Sequence, residues 1–148
     1  RNMYLENNLR VPGKLSIAGV KVDLGKINAS AYLLATREDH IVPWTGAYMV
    51  RRLLGGESTF VLGASGHIAG VINPAGKNKR SYWAGDSTAT APEEWLESAE
   101  ERKGSWWWHW IEWLKGRSGK EIAARGKLGN ASYPPSEPAP GRYVKERA

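Results

Sequence analysis

Apolar and polar positions alternate in several distinct ways along this chain. Leu15, Ile17, Val20 and Val22 are interrupted by Pro12-Gly13, Gly19 and Gly25, which predicts short extended pieces with a hairpin around Ala18-Gly19. Ala31-Tyr32-Leu33-Leu34-Ala35 is a continuous apolar run bounded by Asn28 and Arg37, as expected of a parallel strand buried on both faces. Thr59-Phe60-Val61-Leu62 supplies a second strand, rich in β-branched and aromatic residues. Between them Ala47, Val50 and Leu54 recur at helical spacing with Arg51 and Arg52 off the stripe, so residues 45–54 are predicted helical. The unit reads β-loop-α-β-loop.

Further on, Thr90-Ala91-Pro92-Glu93 has the form of a helix start, with Thr90 as cap and Glu93 completing a capping box. The predicted helix runs to about Lys103, with Trp95, Leu96 and Ala99 on its apolar side. Ser105 to Lys115 holds Trp106, Trp107, Trp108, Trp110 and Trp113, a helix apolar almost all round. Its cover is the body of the protein, a second subunit, or a hydrophobic product or lipid surface. His109 among these rings reads as packing. Ser118-Gly119-Lys120-Glu121 offers a second capping box for a short helix through Arg125, and Gly and Pro residues break everything after it. Tyr133 and Tyr143 either pin this extended end or leave it loose. These shifts divide the chain at 1–114, which includes the Trp-rich helix, and 115–148, a basic Pro/Gly-rich tail.

Composition narrows the classes. The 148 residues suit one domain, yet two clear strands are too few for a free-standing α/β sheet, so the sequence reads as a C-terminal fragment. No run approaches the roughly 18 apolar residues that span a bilayer, and the start lacks the order of a secretion signal. A cytoplasmic protein is expected. Zero cysteines exclude disulfides and thiolate metal sites, and His40, His67 and His109 form no metal-motif spacing. Of the net charge of +6, the segment 115–148 carries +5, from eight basic and three acidic residues. These charges are scattered among Gly, Pro and Ala without interleaved aromatics, which argues against nucleic acid.

The candidate chemistry lies between Arg37 and His67. Loops leaving the C-terminal ends of two parallel strands emerge on one edge of the sheet, so Asp39, in Arg37-Glu38-Asp39-His40, and His67, in Gly63-Ala64-Ser65-Gly66-His67, are expected to face one another. Each alone reads as a turn or loop residue. Together they match the last two members of the nucleophile, acid, histidine order of the α/β-hydrolase fold. His40 is expected to point elsewhere. Lys77, Lys79 and Arg80 are a solvated face or a contact to the phosphates of a nucleotide-like carrier. Asn7, Asn8 and Arg10 belong to a structural ribbon or to ligand contacts.

With these residues in place the chain resembles the C-terminal portion of class I polyhydroxyalkanoate synthases. The resemblance rests on Arg37-Glu38-Asp39-His40-Ile41-Val42-Pro43-Trp44, on the run from Phe60 through Pro74, on Lys77-Asn78-Lys79-Arg80-Ser81, on Gly104-Ser105-Trp106-Trp107 and on Glu137-Pro138-Ala139-Pro140-Gly141-Arg142-Tyr143-Val144-Lys145. It extends over essentially all 148 residues. Ser30, where proline is expected, departs from the pattern just before the first parallel strand.

The resemblance implies the C-terminal portion of an α/β-hydrolase fold: the last two parallel strands with a crossover helix, then helices and an extended tail. It implies a cysteine, aspartate, histidine triad in which Asp39 is the aspartate and His67 the histidine. The cysteine belongs to a Gly-x-Cys-x-Gly elbow that this chain lacks. The implied reaction is polymerising acyl transfer from (R)-3-hydroxyacyl-coenzyme A, chiefly 3-hydroxybutyryl-coenzyme A, with coenzyme A released as part of the substrate and no separate cofactor. The implied partners are the acyl-coenzyme A, the growing polyester, the granule surface and a second subunit. Two other readings stand beside it: a fragment of an esterase or depolymerase of the same fold, and a non-catalytic piece that binds granules or a partner subunit.

Overall fold

The structure is a computed structural model and describes residues 1–147. The chain divides into two compact units, Arg1–Arg117 and Ser118–Ala148. The first opens with a hairpin of β1 (Ser16–Ile17) and β2 (Val20–Lys21). Ala18 and Gly19, both with positive φ, form its two-residue connection, the conformation that matches the right-handed twist of paired strands.

Strands β3 (Ala31–Thr36) and β4 (Ser58–Gly63) pair in parallel from Ala31 opposite Ser58 to Thr36 opposite Gly63, as the apolar runs predict. The segment between them forms α1 (Trp44–Tyr48) and then a 3₁₀ turn over Met49–Arg52, so the predicted helix tightens in its second half. Phe60, Val61 and Leu62 are fully buried. Tyr32 to Leu34 are only half-buried, because β3 lies at one end of the sheet order β3-β4-β5-β6. Burial on both faces, expected of the first run, is thus a property of the second.

Two strands escaped the sequence reading. β5 (Ser81–Ala84) pairs antiparallel with β4, and β6 (Glu100–Lys103) pairs antiparallel with β5. The sheet is therefore mixed and four-stranded, within a mixed α/β fold. The helix expected to reach Lys103 is α3 (Pro92–Ser98), which ends where Ala99 turns extended. Its N-cap is Ala91, with no side-chain cap bond, rather than Thr90. Glu100 to Lys103 instead satisfy the outer backbone groups of β5, a demand that local charge patterning does not reveal.

Side chains alternate across the sheet as a period of two requires. On one face Ala35, Phe60 and Leu62 join Tyr48 of α1 and Trp95 of α3. On the other Val61, Tyr82 and Ala84 meet Trp106, with Tyr32, Leu34, Trp107 and Trp110 around them. The helix α4 (Trp107–Lys115) covers this second face. Its indoles are anchored: Trp106 Nε1 donates to the carbonyls of Gly70 (3.2 Å) and Val71 (3.1 Å), and Trp113 Nε1 to Thr59 Oγ1 (3.1 Å). Trp108 alone of the five is mostly exposed, at 52%. Of the covers open to this helix, the protein's own sheet is the one it uses. No helix among the described residues is long and apolar enough to cross a membrane.

The second unit has one regular element among its described residues, a 3₁₀ turn at Tyr143–Lys145. The helix expected from Ser118 to Arg125 does not form. A short segment between Gly119 and Gly126 must bear the nucleation cost without burying an apolar face, and Ile122 is 90% exposed.

Candidate active site

Backbone hydrogen bonds carry the sheet register into the two loops beyond it. Arg37 N–H donates to the Gly63 carbonyl (2.9 Å) and Glu38 N–H to the Ser65 carbonyl (3.1 Å). The second loop turns sharply at Ser65, whose φ is 72°, and closes where Gly70 N–H donates to the Gly66 carbonyl (2.8 Å). A Cβ at Gly70 would lie 2.4 Å from the Ala64 carbonyl oxygen and 2.7 Å from Thr36 Cγ2, so the loop passes the end of β3 only because this residue has no side chain. A short helix, α2 (Ala69–Ile72), leads away.

These constraints bring Asp39 Oδ1 to 3.5 Å from His67 Nδ1. The two loop residues singled out in the sequence do meet. The separation is longer than a hydrogen bond, and the enclosed His67 Nδ1 has no hydrogen-bond partner of its own. Asp39 Oδ1 accepts the backbone N–H groups of Ile41 (2.8 Å) and Val42 (3.0 Å). The amides of Val42 and Ile41 are the main cause that holds its carboxyl below the ordinary carboxylate range; burial opposes them, and His67 and His40 add to them. Asp39 is an anion at neutral pH, fixed by its own turn. A carboxylate beside Nδ1 favours a proton on that nitrogen and leaves Nε2 to exchange protons with a ligand. The His67 side chain keeps 32% of its surface open, against 14% for Asp39.

Sequence reasoning missed the neighbours of this pair. The His40 ring, expected to point away, stands edge-on to His67 with centroids 5.1 Å apart. Thr36, at the end of β3, is buried with an unpaired Oγ1, and Arg37 lies over the Trp83 ring at 4.9 Å. Periodicity could have flagged Thr36 as the last residue of the strand, but not its lack of a partner. No group of three or more His, Cys, Asp or Glu residues among the described residues could hold a metal ion.

The sequence matches no family model. It is 55% identical over all 148 residues to the poly(3-hydroxyalkanoate) polymerase subunit PhaC of Cupriavidus necator, covering 25% of that protein. It is 45% identical over 141 residues to poly(3-hydroxyalkanoate) polymerase 2 of Ectopseudomonas oleovorans, again 25% of its length. The chain is a relative of the poly(3-hydroxyalkanoate) polymerases. The PhaC subunit of Rhizobium etli is 43% identical over 147 residues, or 23% of its length. The chain thus spans about a quarter of the curated relatives that it matches.

The third histidine of this polymerase relative serves the sheet. His109 Nδ1 lies 2.9 Å from the Tyr32 hydroxyl, with its ring close to those of Tyr32 and Tyr82. Burial, then the charge of Arg102, push His109 below its ordinary value of 6.5, with Asp86 opposing, while burial pushes Tyr32 up. A neutral imidazole therefore accepts the Tyr32 proton. A histidine with a depressed folded pKa contributes stability that is present above its unfolded value and lost as pH falls through the folded one. The urea midpoint of unfolding is expected to drop as pH falls below 6.5, and His109→Gln should flatten that dependence.

Proposed function

We propose that Asp39 and His67 are the acid and the histidine of a Cys-Asp-His triad that polymerises (R)-3-hydroxyacyl-coenzyme A, chiefly 3-hydroxybutyryl-coenzyme A. The observation that carries this reading is the 3.5 Å approach of the two side chains beyond adjacent parallel strands, in a chain matched along its length to polyester polymerases. The β3-α1-β4 unit is read as the end of an α/β-hydrolase core. The chain itself has no cysteine, so the nucleophile and the oxyanion amides belong to the portion of a polymerase that it does not span.

In this mechanism His67 Nε2 takes the proton of the cysteine thiol, and the thiolate attacks the thioester carbonyl, the nucleophile best suited to that carbon. The imidazolium gives that proton to the sulfur of the departing coenzyme A, and an acyl-enzyme remains. Neutral again, His67 takes the proton of the incoming 3-hydroxyl as that oxygen attacks the acyl group and returns it to the cysteine sulfur that leaves, while Asp39 holds the ring and stabilises its cation. The parent enzyme is proposed to be cytoplasmic, dimeric and attached to its polymer granule. Because Trp106, Trp107 and Trp110 face the sheet, a granule contact through α4 would use Trp108.

The chain alone is expected to release no coenzyme A from 3-hydroxybutyryl-coenzyme A. Joined to the preceding three quarters of the Cupriavidus necator relative, it should restore release, read by thiol titration. Release by the isolated chain would refute the triad.

A further inference from the structure

We propose that the turn from Lys77 to Arg80 and the pocket beside it bind the phosphate groups of the coenzyme A carrier, an assignment that rests on the acyl-coenzyme A reading above. The sequence offered two readings of this basic run, and the geometry favours the ligand. A pocket of about 280 Å³ is lined by Ala69, Ile72 and Pro74 on its apolar side and by Lys77, Lys79 and Arg80. It takes a phosphate or diphosphate group rather than a whole nucleotide.

A merely solvated basic run needs no fixed backbone, but this one is strongly constrained. The buried Asn73 side chain donates to the Lys79 carbonyl (2.7 Å), Gly104 N–H to the Arg80 carbonyl (2.8 Å) and Ser105 N–H to Asn78 Oδ1 (2.8 Å). Ser105, itself buried, donates its hydroxyl to the Asn73 carbonyl (2.5 Å). Asn78 and Arg80 both hold positive φ, at 42° and 70°. A non-glycine backbone is kept in that region only where its surroundings over-determine it, and such strain clusters at ligand sites. The polar groups of the turn face inward while its cations stay outside.

Those cations are also uncompensated. The ion pairs of the described residues involve other side chains, and none of Lys77, Lys79 or Arg80 meets a carboxylate. Three exposed cations on a fixed backbone beside a small concavity are donors of the kind that phosphate oxygens accept. Ala69 follows His67 by two residues, so one wall of the pocket and the imidazole belong to one short segment.

The test is a titration of the full 148-residue chain, followed by the NMR signals of its backbone amides, with pyrophosphate, coenzyme A and pantetheine in turn. Saturable shifts at residues 69–80 are expected with pyrophosphate and coenzyme A and not with pantetheine. Lys77→Gln combined with Lys79→Gln should weaken both at least about tenfold and leave signals elsewhere unchanged, which shows that the variant is folded. Equal affinity of variant and parent, or no shift with coenzyme A, would overturn the assignment. So would shifts produced by phosphatidylglycerol vesicles but not by coenzyme A, which would mark the site as one for lipid headgroups. The readout is binding without turnover, so a failure of the triad, seen only in turnover, is distinguishable from a failure here.

Discussion

His67→Gln, in a polymerase completed with this chain, is expected to lower coenzyme A release by about 10²–10⁴-fold, the range for loss of a general base. Glutamine can fill the loop beside Asp39 but cannot take a proton. Because the loop is set by backbone bonds from Gly63, Ser65 and Gly66 and not by the imidazole, the variant should fold with an unchanged circular dichroism spectrum. Asp39→Asn should fall in the same range by another route. An amide oxygen still accepts from Ile41 and Val42, so the turn survives, but the negative charge that orients and stabilises the imidazolium is gone. Asp39→Asn should therefore alter the pH profile of kcat. His40→Gln is the contrast: its ring touches His67 without an acid of its own, and only a small effect is expected. Retention of His67→Gln activity within about tenfold of the parent would refute the assigned role.

Trp95→Ala is expected to destabilise the first unit by about 3–5 kcal/mol, the range for a large aromatic truncated in a core. Trp95 is completely buried. It stands edge-on to Phe60 with centroids 4.9 Å apart and tilted against Tyr48 at 5.6 Å, and its Nε1 donates to the Gly85 carbonyl (3.3 Å). Truncation removes the ring that joins α1, α3 and the sheet, leaves a cavity and orphans that carbonyl. Because a loss of that size rivals the whole stability of a small domain, the variant should unfold at markedly lower urea. A shift below about 1 kcal/mol would mean that α3 does not hold this face.

The parallel pair and the acid-histidine approach were legible because they rest on local signals: two apolar runs, a helical stripe between them and a polar cluster after each strand. β5 and β6 were not. Ser81-Tyr82-Trp83-Ala84 is too short to show a period against its Gly- and Lys-rich flanks. Glu100 to Lys103 carry charge on every residue, a pattern that follows naturally from the helix before it, and only pairing with β5 makes them a strand. The capping signals fared unequally. The one at Thr90 does mark a helix start, one residue early, whereas the one at Ser118 has no helix after it, because a cap stabilises a helix that tertiary contact already favours and cannot create one alone. His40 beside His67 was illegible because a ring's direction in a tight turn is set by the neighbouring loop.

The two ends of the sheet are not equivalent. β6 presents four exposed charged residues, a border that repels an incoming strand, whereas β3 ends the order with half-buried apolar side chains and, among the described residues, no strand beyond it. The two borders therefore differ in chemistry: the charged one disfavours strand addition, and the apolar one is the edge whose last residue leads directly into Arg37, Glu38 and Asp39.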